Sequence, residues 1–344
     1  MDLTSLIARV TERHDLLIDE AESAFNDIMS GRASPVQIAA MLVALRTKGH
    51  APSELAGGVR ALRRHMVPVA APEGAVLIDT CGTGGGCVTT FNISTAAALV
   101  AAAGGVMVAK HGNRSFSSQS GSADVLEALG VEIQLSPEAM SHVLKRAGIV
   151  FMFAPLLHPA MRYVGPVRRE LKIPTIMNLL GPLTNPAGAR RQVIGVSDPA
   201  LLPLIARALV ALDHERALVV HGAPGMDEVS PSGITKVTEL QDGTIRNWEL
   251  NAEELSIPVC TPEELAGGTP QENAQIIEEV LSGRERGGAR SAVLLNAAAA
   301  LYIGGTVEDI RQGVIRAAEL IDDGAAVRTL DSLRHESRDE ALPS

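Results

Sequence analysis

The sequence predicts an α/β protein with a small N-terminal α-helical domain and a larger domain built on a mainly parallel central sheet with helices on both faces. The chain has 344 residues, of which 46% are hydrophobic, so it is long enough to form two domains with sizeable cores. No strand pattern occurs in roughly the first 70 residues, whereas short apolar segments alternate with helical ones from residue 75 onwards. We expect a helical domain over residues 1–70, joined by part of 165–190, an α/β domain over 75–330 and a polar tail over 331–344.

Four helices are predicted in the N-terminal region, because apolar residues recur there at every third or fourth position. Ser34 and Pro35 have the residue types favoured at the N-cap and the first helical position, and Gly49 marks the end of that helix. Ser53 is expected to cap the fourth helix. The four apolar faces are Leu3, Leu6, Ile7 and Val10; Ala21, Phe25, Ile28 and Met29; Ile38, Met41, Leu42 and Leu45; and Leu55, Val59, Leu62 and Met66.

The larger region is predicted to be α/β, because helices of about a dozen residues separate most of its short apolar strands. In such sheets, ligands bind beyond the carboxyl ends of the strands. Residues 271–323 show helical patterns, and residues 332–344 are polar and expected to fray. The predicted strands are 75–78, 106–109, 149–153, 192–196 and 216–221, followed by a hairpin of 234–240 and 244–250.

Composition excludes several classes of protein. The net charge of −10 argues against a nucleic-acid partner, because neutralising phosphates requires a basic face. Cys81, Cys87 and Cys260 show neither a disulfide framework nor zinc-ribbon spacing, which favours a reduced, cytoplasmic setting. The N-terminus lacks the pattern of a signal peptide, and the apolar run 95–109 is too short and too rich in Ala and Gly for a membrane span.

Two segments have the composition of anion sites. Residues 79–86, DTCGTGGG, directly follow a predicted strand, and their glycines allow backbone N–H groups to converge on an anion; the alternative is a flexible surface turn. Asn92, Ser94 and Thr95 open the Ala-rich helix, whose first N–H groups suit a phosphate; the alternative is an ordinary cap.

Three further segments carry polar or irregular sequences at equivalent places. Residues 110–118, KHGNRSFSS, combine two cations, an amide and three hydroxyls, as in a phosphate site or a solvated basic loop. Asp227 and Glu228 suit Mg²⁺ or form an acidic turn. The arginines of 162–169 are expected on a helix, and 178–186, NLLGPLTNP, could wall a pocket.

Taken in order, the motifs GTGG, FNIST, AKHGNRS, NLLGPLTNP and HGxxGxDE resemble the anthranilate phosphoribosyltransferase family from about residue 3 to about residue 330. The resemblance implies a small helical domain beside a larger α/β domain, with substrates in the cleft and a homodimer formed through the helical domain. It implies transfer of phosphoribose from phosphoribosyl pyrophosphate to anthranilate with Mg²⁺. The related nucleoside phosphorylases share this fold but lack this set of loops.

The same resemblance assigns residues to each ligand. Mg²⁺ would be held by Ser94, Asp227 and Glu228, and anthranilate would meet Gly82, Asn113, Arg168 and Gly181. Lys110 and His111 are the candidates for a catalytic role. Phosphoribosyl pyrophosphate would contact Gly82, Gly85, Gly86, Thr90, Asn92, Ser94, Thr95, Lys110, His111, Gly112, Asn113, Arg114, Ser115, Ser117, Ser118 and Ser122.

One position departs from the family pattern, whose glycine loop commonly ends in aspartate where this chain has Gly86. We expect this change to alter magnesium dependence and phosphoribosyl pyrophosphate affinity and to leave the fold intact. The alternatives to the implied activity are a nucleoside phosphorylase of the same fold and a non-catalytic nucleic-acid-binding relative. The net charge and the Asp227–Glu228 pair argue against the latter.

Overall fold

A computed structural model describes residues 2–86, 88–115 and 119–341. The N-terminal region is a bundle in which Ser34 caps the third helix by accepting a hydrogen bond from the Gln37 N–H, and Gly49, at φ +92°, ends it. Ser53 does not cap the fourth helix, because Pro52 already occupies the first helical position and Ala51 is the N-cap. The helices are α1 Leu3–Thr11, α2 Ile18–Met29, α3 Pro35–Lys48 and α4 Pro52–His65.

The described residues of the larger region form one seven-stranded sheet in the order β3-β2-β1-β4-β5-β6-β7. The first five strands in this order pair in parallel, and the last two extend the sheet as an antiparallel hairpin. The predicted mainly parallel sheet is therefore confirmed. The strands are β1 Leu77–Gly82, β2 Met107–Gly112, β3 Ile149–Phe153, β4 Arg191–Gly195, β5 Arg216–Gly222, β6 Thr235–Gln241 and β7 Thr244–Leu250.

The first two strands extend further than the sequence pattern predicts. β1 starts at Leu77 and runs through Gly82, which pairs with Gly195, and β2 runs through Gly112, which pairs with Phe153. Half of the expected glycine loop and the first three residues of the expected basic loop are therefore strand. The parallel ladder to the neighbouring strands continues there, although the apolar pattern has ended.

Helices cover both faces of the sheet. Because side chains alternate along a strand, Val193 and Ile194 of β4 enter different cores. One core contains α5 and α13, and the other contains α11, the N-terminal helices and residues of α9 and α10. The helices are α5 Ile93–Ala103, α6 Ser122–Ala128, α7 Pro137–Ala147, α8 Ala154–Leu157, α9 Met161–Leu171, α10 Ile176–Leu180, α11 Leu201–Ala211, α12 Pro270–Leu281, α13 Gly288–Gly304, α14 Ile310–Asp322 and α15 Ala325–Asp339.

Helix α15 contradicts the expected frayed tail. Ala326, Leu330 and Leu333 are buried on one face of this helix, which packs against α5 and α7. Apart from Ser337, which is buried, the polar residues of this helix are at least partly exposed, so their abundance reflects an amphipathic helix. In the part of the chain that the structure describes, no helix has both the length and the apolar composition to cross a membrane.

Candidate active site

The glycine loop and the acidic loop meet beyond the carboxyl ends of β1, β4 and β5. The Gly84 N–H donates a hydrogen bond to Asp227 Oδ2 at 2.9 Å. A Cβ atom on Gly82 would lie 2.4 Å from the same carboxylate oxygen, and one on Gly195 would lie 1.6 Å from the Asp227 carbonyl oxygen. Glycine is therefore required at both positions for the acidic loop to approach the strands.

Lys110 lies beneath this junction, on β2. Its side chain is buried, and Nζ donates to the Thr80 carbonyl at 2.6 Å, with Thr80 Oγ1 at 3.4 Å and Ser94 Oγ at 3.3 Å. These three acceptors match the three N–H donors of an ammonium group. Lys110 thus joins β1 to the start of α5 and adds positive charge under the loops.

The carboxylates of the site carry perturbed pKa values. Lost hydration, followed by the neighbouring Asp227 charge, raises the pKa of Glu228 to about 8, although Lys110 and the Ser94 N–H oppose the shift. Burial likewise raises the pKa of Asp79 to about 6 against the opposing charge of Lys110. Two adjacent carboxylates, one of them held above its usual pKa, form a place where a cation would be stabilising.

Within the described ranges, no three His, Cys, Asp or Glu side chains converge on one point. A cation beside Asp227 and Glu228 would consequently need oxygen ligands from a hydroxyl, water or a bound phosphate. That donor set is the one Mg²⁺ prefers, since this ion commonly uses one or two carboxylates together with waters and phosphate oxygens.

A histidine pair marks the neighbouring edge of the site. His111 Nε2 lies 3.1 Å from His158 Nε2, and the Gly181 backbone hydrogen-bonds the His111 ring. Burial, reinforced by the charge of the other histidine, lowers the pKa of His111 to about 3, and burial lowers the pKa of His158 to about 4. Both rings are neutral at pH 7, and the hydrogen bond to His111 holds Gly181 at the end of β2.

Arg168 is half-buried on α9, and its Nη2 lies 3.5 Å from Asn178 Oδ1. Burial lowers its pKa from the usual value, although an arginine remains charged at neutral pH. Asn178 also accepts the Thr175 N–H at 3.1 Å, which ties the arginine to the start of α10. The structure therefore places Arg168 on the helices that flank Gly181.

Arg114 is engaged away from the junction. Its guanidinium pairs with Asp124 at 2.8 Å and with Glu127 at 2.5 Å on α6, and these partners raise its pKa. Asn113 is exposed and accepts the Arg114 N–H at 2.7 Å. The expected run of phosphate donors over 110–118 is thus divided: its first part lies in β2, Arg114 turns to α6, and Ser117 and Ser118 lie outside the described residues.

Polar contacts also hold the start of α5. The Asn92 side chain donates to the Ser120 carbonyl at 3.2 Å and accepts from Asn273 Nδ2 at 2.9 Å. Thr95 is buried, and its hydroxyl has no hydrogen-bond partner among the described residues. The remaining predicted positions lie around these segments: Thr90 bridges to Ala266, Gly85 and Gly86 follow β1, Gly112 ends β2, the Ser115 N–H donates to Asp124, and Ser122 begins α6.

Four residues of the site were given no role by the sequence motifs. Asp79 accepts the His111 N–H at 3.2 Å and a hydrogen bond from Asn185 at 2.8 Å. Asp79 and Asn185 both lie inside the segments singled out in the sequence. His158 and Asn296 carry no motif signal. Asn296 on α13 accepts the Val229 N–H at 2.9 Å and donates to the Val229 carbonyl at 2.8 Å, directly after Glu228.

The helical bundle, the α/β region and the loops at the carboxyl edge of its sheet define a class of two-domain glycosyl transferase. A model of the glycosyl transferase family helical bundle domain matches residues 4–66, and one of its a/b domain matches residues 74–327.

Curated relatives place the chain within this class. It is 50% identical to the anthranilate phosphoribosyltransferase of Rubrobacter xylanophilus over 93% of both chains, and 51% identical to that of Brevibacillus brevis over 92% of both. Among solved structures, the Thermus thermophilus enzyme has a TM-score of 0.92 at 42% identity, covering 98% of this chain and 100% of its own. The Saccharomyces cerevisiae enzyme in complex with PRPP and Mg has a TM-score of 0.90 at 28% identity, covering 98% of each. The chain belongs to the anthranilate phosphoribosyltransferase family, as its motifs predict.

Proposed function

We propose that the chain transfers the 5-phosphoribosyl group from phosphoribosyl pyrophosphate to the amine of anthranilate, giving N-(5-phosphoribosyl)anthranilate and pyrophosphate in tryptophan biosynthesis. The observation that carries this proposal is the meeting of separate loops at one edge of the sheet, where Gly84 N lies 2.9 Å from Asp227 Oδ2 and Lys110 Nζ lies 3.3 Å from Ser94 Oγ. The family's yeast member forms a complex with PRPP and Mg.

Ser94, Asp227 and Glu228 fit a magnesium ion, because they offer oxygen ligands and Glu228 carries a pKa raised by lost hydration. When bound, Mg²⁺ neutralises charge on the pyrophosphate group. Asn296 fixes the backbone of the next residue, Val229, and so positions the Glu228 carboxylate.

The chain's own donors act on the departing pyrophosphate. Bond breaking at the anomeric carbon gives the ribose oxocarbenium character and leaves negative charge on the leaving group. Backbone N–H groups of the glycine loop beyond Gly84 would face this charge, and one such preorganised donor contributes ~3 kcal/mol. Lys110 is a positioning residue here, since its three donors hold Thr80 and Ser94 and its charge acts from below.

The acceptor side requires orientation more than activation. The anthranilate amine is neutral and nucleophilic, so no base is needed before attack. Arg168 would hold the acceptor's carboxylate, and Asn113 and Gly181 would contact the ring. The neutral His111–His158 pair would line the acceptor's edge, and because the pKa of His111 is only about 3, the proton that the amine loses would pass to the released pyrophosphate or to water.

The direct test mixes the protein with phosphoribosyl pyrophosphate, Mg²⁺ and anthranilate and follows the loss of anthranilate fluorescence. We expect fluorescence to fall with stoichiometric release of pyrophosphate. A protein that leaves anthranilate unchanged but cleaves pyrimidine nucleosides with inorganic phosphate would be a nucleoside phosphorylase, and the proposal would be wrong.

We also propose that two copies associate through the helical bundle in the cytoplasm. Val36 and Val43 of α3 and Ile173, after α9, are exposed large hydrophobic side chains on this region, as expected for a surface that a second copy covers. Cys81 and Cys260 are free thiols, which agrees with a reducing compartment. Sedimentation of Val36→Glu against the parent chain tests the association.

A further inference from the structure

A cavity of about 540 Å³ lies between the segment after β7 and helices α13 and α14, and none of its lining residues belongs to the loops of the proposed active site. Cavities of this size accommodate small organic molecules. Its walls are mainly apolar and include Leu255, Pro258, Leu294 and Val314. Ile315 stands at its rim with 57% of its surface exposed.

The polar part of this cavity has hydrogen-bond donors to spare. Arg290 is only 8% exposed, and its Nη2 donates to Asp322 at 2.9 Å, but no partner for its buried Nη1 exists among the described residues. A buried guanidinium N–H without a partner is costly. Arg286 also lines the cavity, is exposed, and has no ion pair within the described ranges.

The acidic residues nearby already have partners. Asp322 is bonded to Arg290, and Glu319 pairs with Arg316 at 2.9 Å. Glu285 caps α13 by accepting the N–H groups of Gly287 and Arg290 at 2.7 and 2.8 Å. The groups at this cavity that lack a partner are therefore the N–H donors of arginine side chains, and they lie next to apolar walls.

We propose that this cavity is a second binding site, separate from the acceptor site, for a small carboxylate with an aromatic or branched apolar body. The carboxylate meets Arg286 at the surface of the cavity, a shift of the Arg290 side chain brings its unpartnered Nη1 to the same carboxylate, and the apolar body lies against Leu294 and Val314.

Helix α13 connects this cavity to the acidic loop. Asn296 lies six residues, or about 9 Å, further along the same helix than Arg290. It clamps Val229 through two hydrogen bonds, and Glu228 precedes Val229. Occupancy of the cavity restrains the start of α13 and thereby steadies the acidic loop; the consequence of this restraint for turnover rests on the proposed function, whereas binding does not.

Calorimetric titration of the full chain with 3-phenylpropionate, and with 3-phenylpropionamide as its neutral counterpart, tests the site. We expect the carboxylate to bind, and Arg286→Gln and Ile315→Glu each to weaken it by on the order of tenfold, since a charge-assisted contact is lost or opposed. Ile315→Gln, which replaces the rim residue without adding charge, and Arg284→Gln, which removes a cation outside the cavity, are the matched controls; they should bind much like the parent chain.

Several outcomes would overturn this inference. The proposal is wrong if millimolar 3-phenylpropionate gives no heat of binding, or if the amide binds as tightly as the carboxylate. It is also wrong if Arg168→Ala abolishes binding while Arg286→Gln keeps it, because the probe would then occupy the acceptor site. Hydrogen exchange of the Val229 amide tests the connection without any assay of activity. The probe should slow this exchange in the parent chain and in Arg284→Gln but not in Arg286→Gln, and exchange unchanged by bound probe would refute the coupling through α13.

Discussion

Gly86 leaves space beside the acidic loop where the family commonly has a carboxylate. A Cβ at this position would lie 3.1 Å from the Gly225 carbonyl oxygen and 3.4 Å from Asp227 Oδ1, so an aspartate side chain can be accommodated with a small shift of the loop. A carboxylate there would stand next to Asp227 and increase the negative charge facing a cation.

Gly86→Asp should therefore lower the Mg²⁺ concentration that gives half-maximal rate by roughly fivefold, as expected for one added charge near a partly exposed site. Gly86→Asn is the matched control, because it has the same shape without the charge. Rates measured across a magnesium series, with phosphoribosyl pyrophosphate saturating, separate the two variants. Superimposable curves for the parent, Asp and Asn forms would show that this position does not influence the cation.

Arg168→Ala should raise the KM for anthranilate by roughly 10- to 100-fold, because a charge-assisted contact to the acceptor's carboxylate is lost. The KM for phosphoribosyl pyrophosphate should change little, since Arg168 lies on α9 beside Asn178, away from the Gly84–Asp227 junction. Arg169→Ala, the exposed neighbour, is the control. Steady-state kinetics with each substrate varied in turn make the comparison, and equal increases in both KM values would remove Arg168 from the acceptor site.

Asp227→Asn combined with Glu228→Gln should reduce turnover by at least about 100-fold, because the two carboxylates of the proposed cation site lose their charge while keeping their shape. Asp242→Asn, an exposed carboxylate in the turn between β6 and β7, controls for a general effect of charge. Turnover is measured at saturating Mg²⁺ and substrates after circular dichroism has shown both variants folded. Undiminished activity in the double variant would contradict the metal assignment.

At the level of helices and strands, apolar periodicity predicted most of the architecture. The caps Ser34 and Gly49 agree with the structure, because cap preferences are local and depend on a few neighbouring atoms. The ends of β1 and β2 could not be predicted in this way. Gly82 and Gly112 are held in strands by pairing with Gly195 and Phe153, which lie far away in the sequence.

The candidate site was likewise predicted only in part. The motifs indicated the loops at one edge of the sheet, because their residue types suit phosphate and magnesium. They could not indicate that Arg114 turns towards Asp124 on α6. His158 and Asn296 were missed because their partners are 47 and 67 residues distant, and no local pattern distinguishes either from an ordinary buried polar residue.

Helix α15, which the polar composition of the tail did not predict, can be tested by mutation. Leu333→Ala should lower the free energy of unfolding by about 2–4 kcal/mol, as for other buried leucines whose removal leaves a cavity. His335→Ala, on the exposed face two residues away, should change it by less than about 0.5 kcal/mol. Chemical denaturation of both variants supplies the values. A cost at Leu333 no larger than that at His335 would mean that the helix does not pack as described.

Titratable groups buried throughout the chain affect its stability in opposite directions. Burial lowers the pKa of His50 and His158 to about 4 and that of His214 to about 3, whereas it raises the pKa of Asp79 to about 6. Between the folded and unfolded pKa values, the unfolded chain binds more protons at each histidine, so each makes the chain less stable as the pH falls below about 6.5. Asp79 acts oppositely, since its folded form retains the proton up to about pH 6 and its contribution weakens as the pH rises from about 4.

The contribution of His214 can be isolated by comparing how the free energy of unfolding changes with pH in the parent chain and in a variant. His214 is buried, and its Nε2 lies 3.0 Å from Gln192 Oε1. With a folded pKa of about 3, it should cost about 2 kcal/mol of unfolding free energy at pH 5 relative to pH 8. His214→Gln removes the titration and keeps a donor for Gln192, so urea unfolding of this variant should lose about 2 kcal/mol less than the parent chain between those pH values. The exposed His14→Gln is the control and should reproduce the parent slope; a His214→Gln slope that also matches the parent would show that His214 can be protonated in the folded chain.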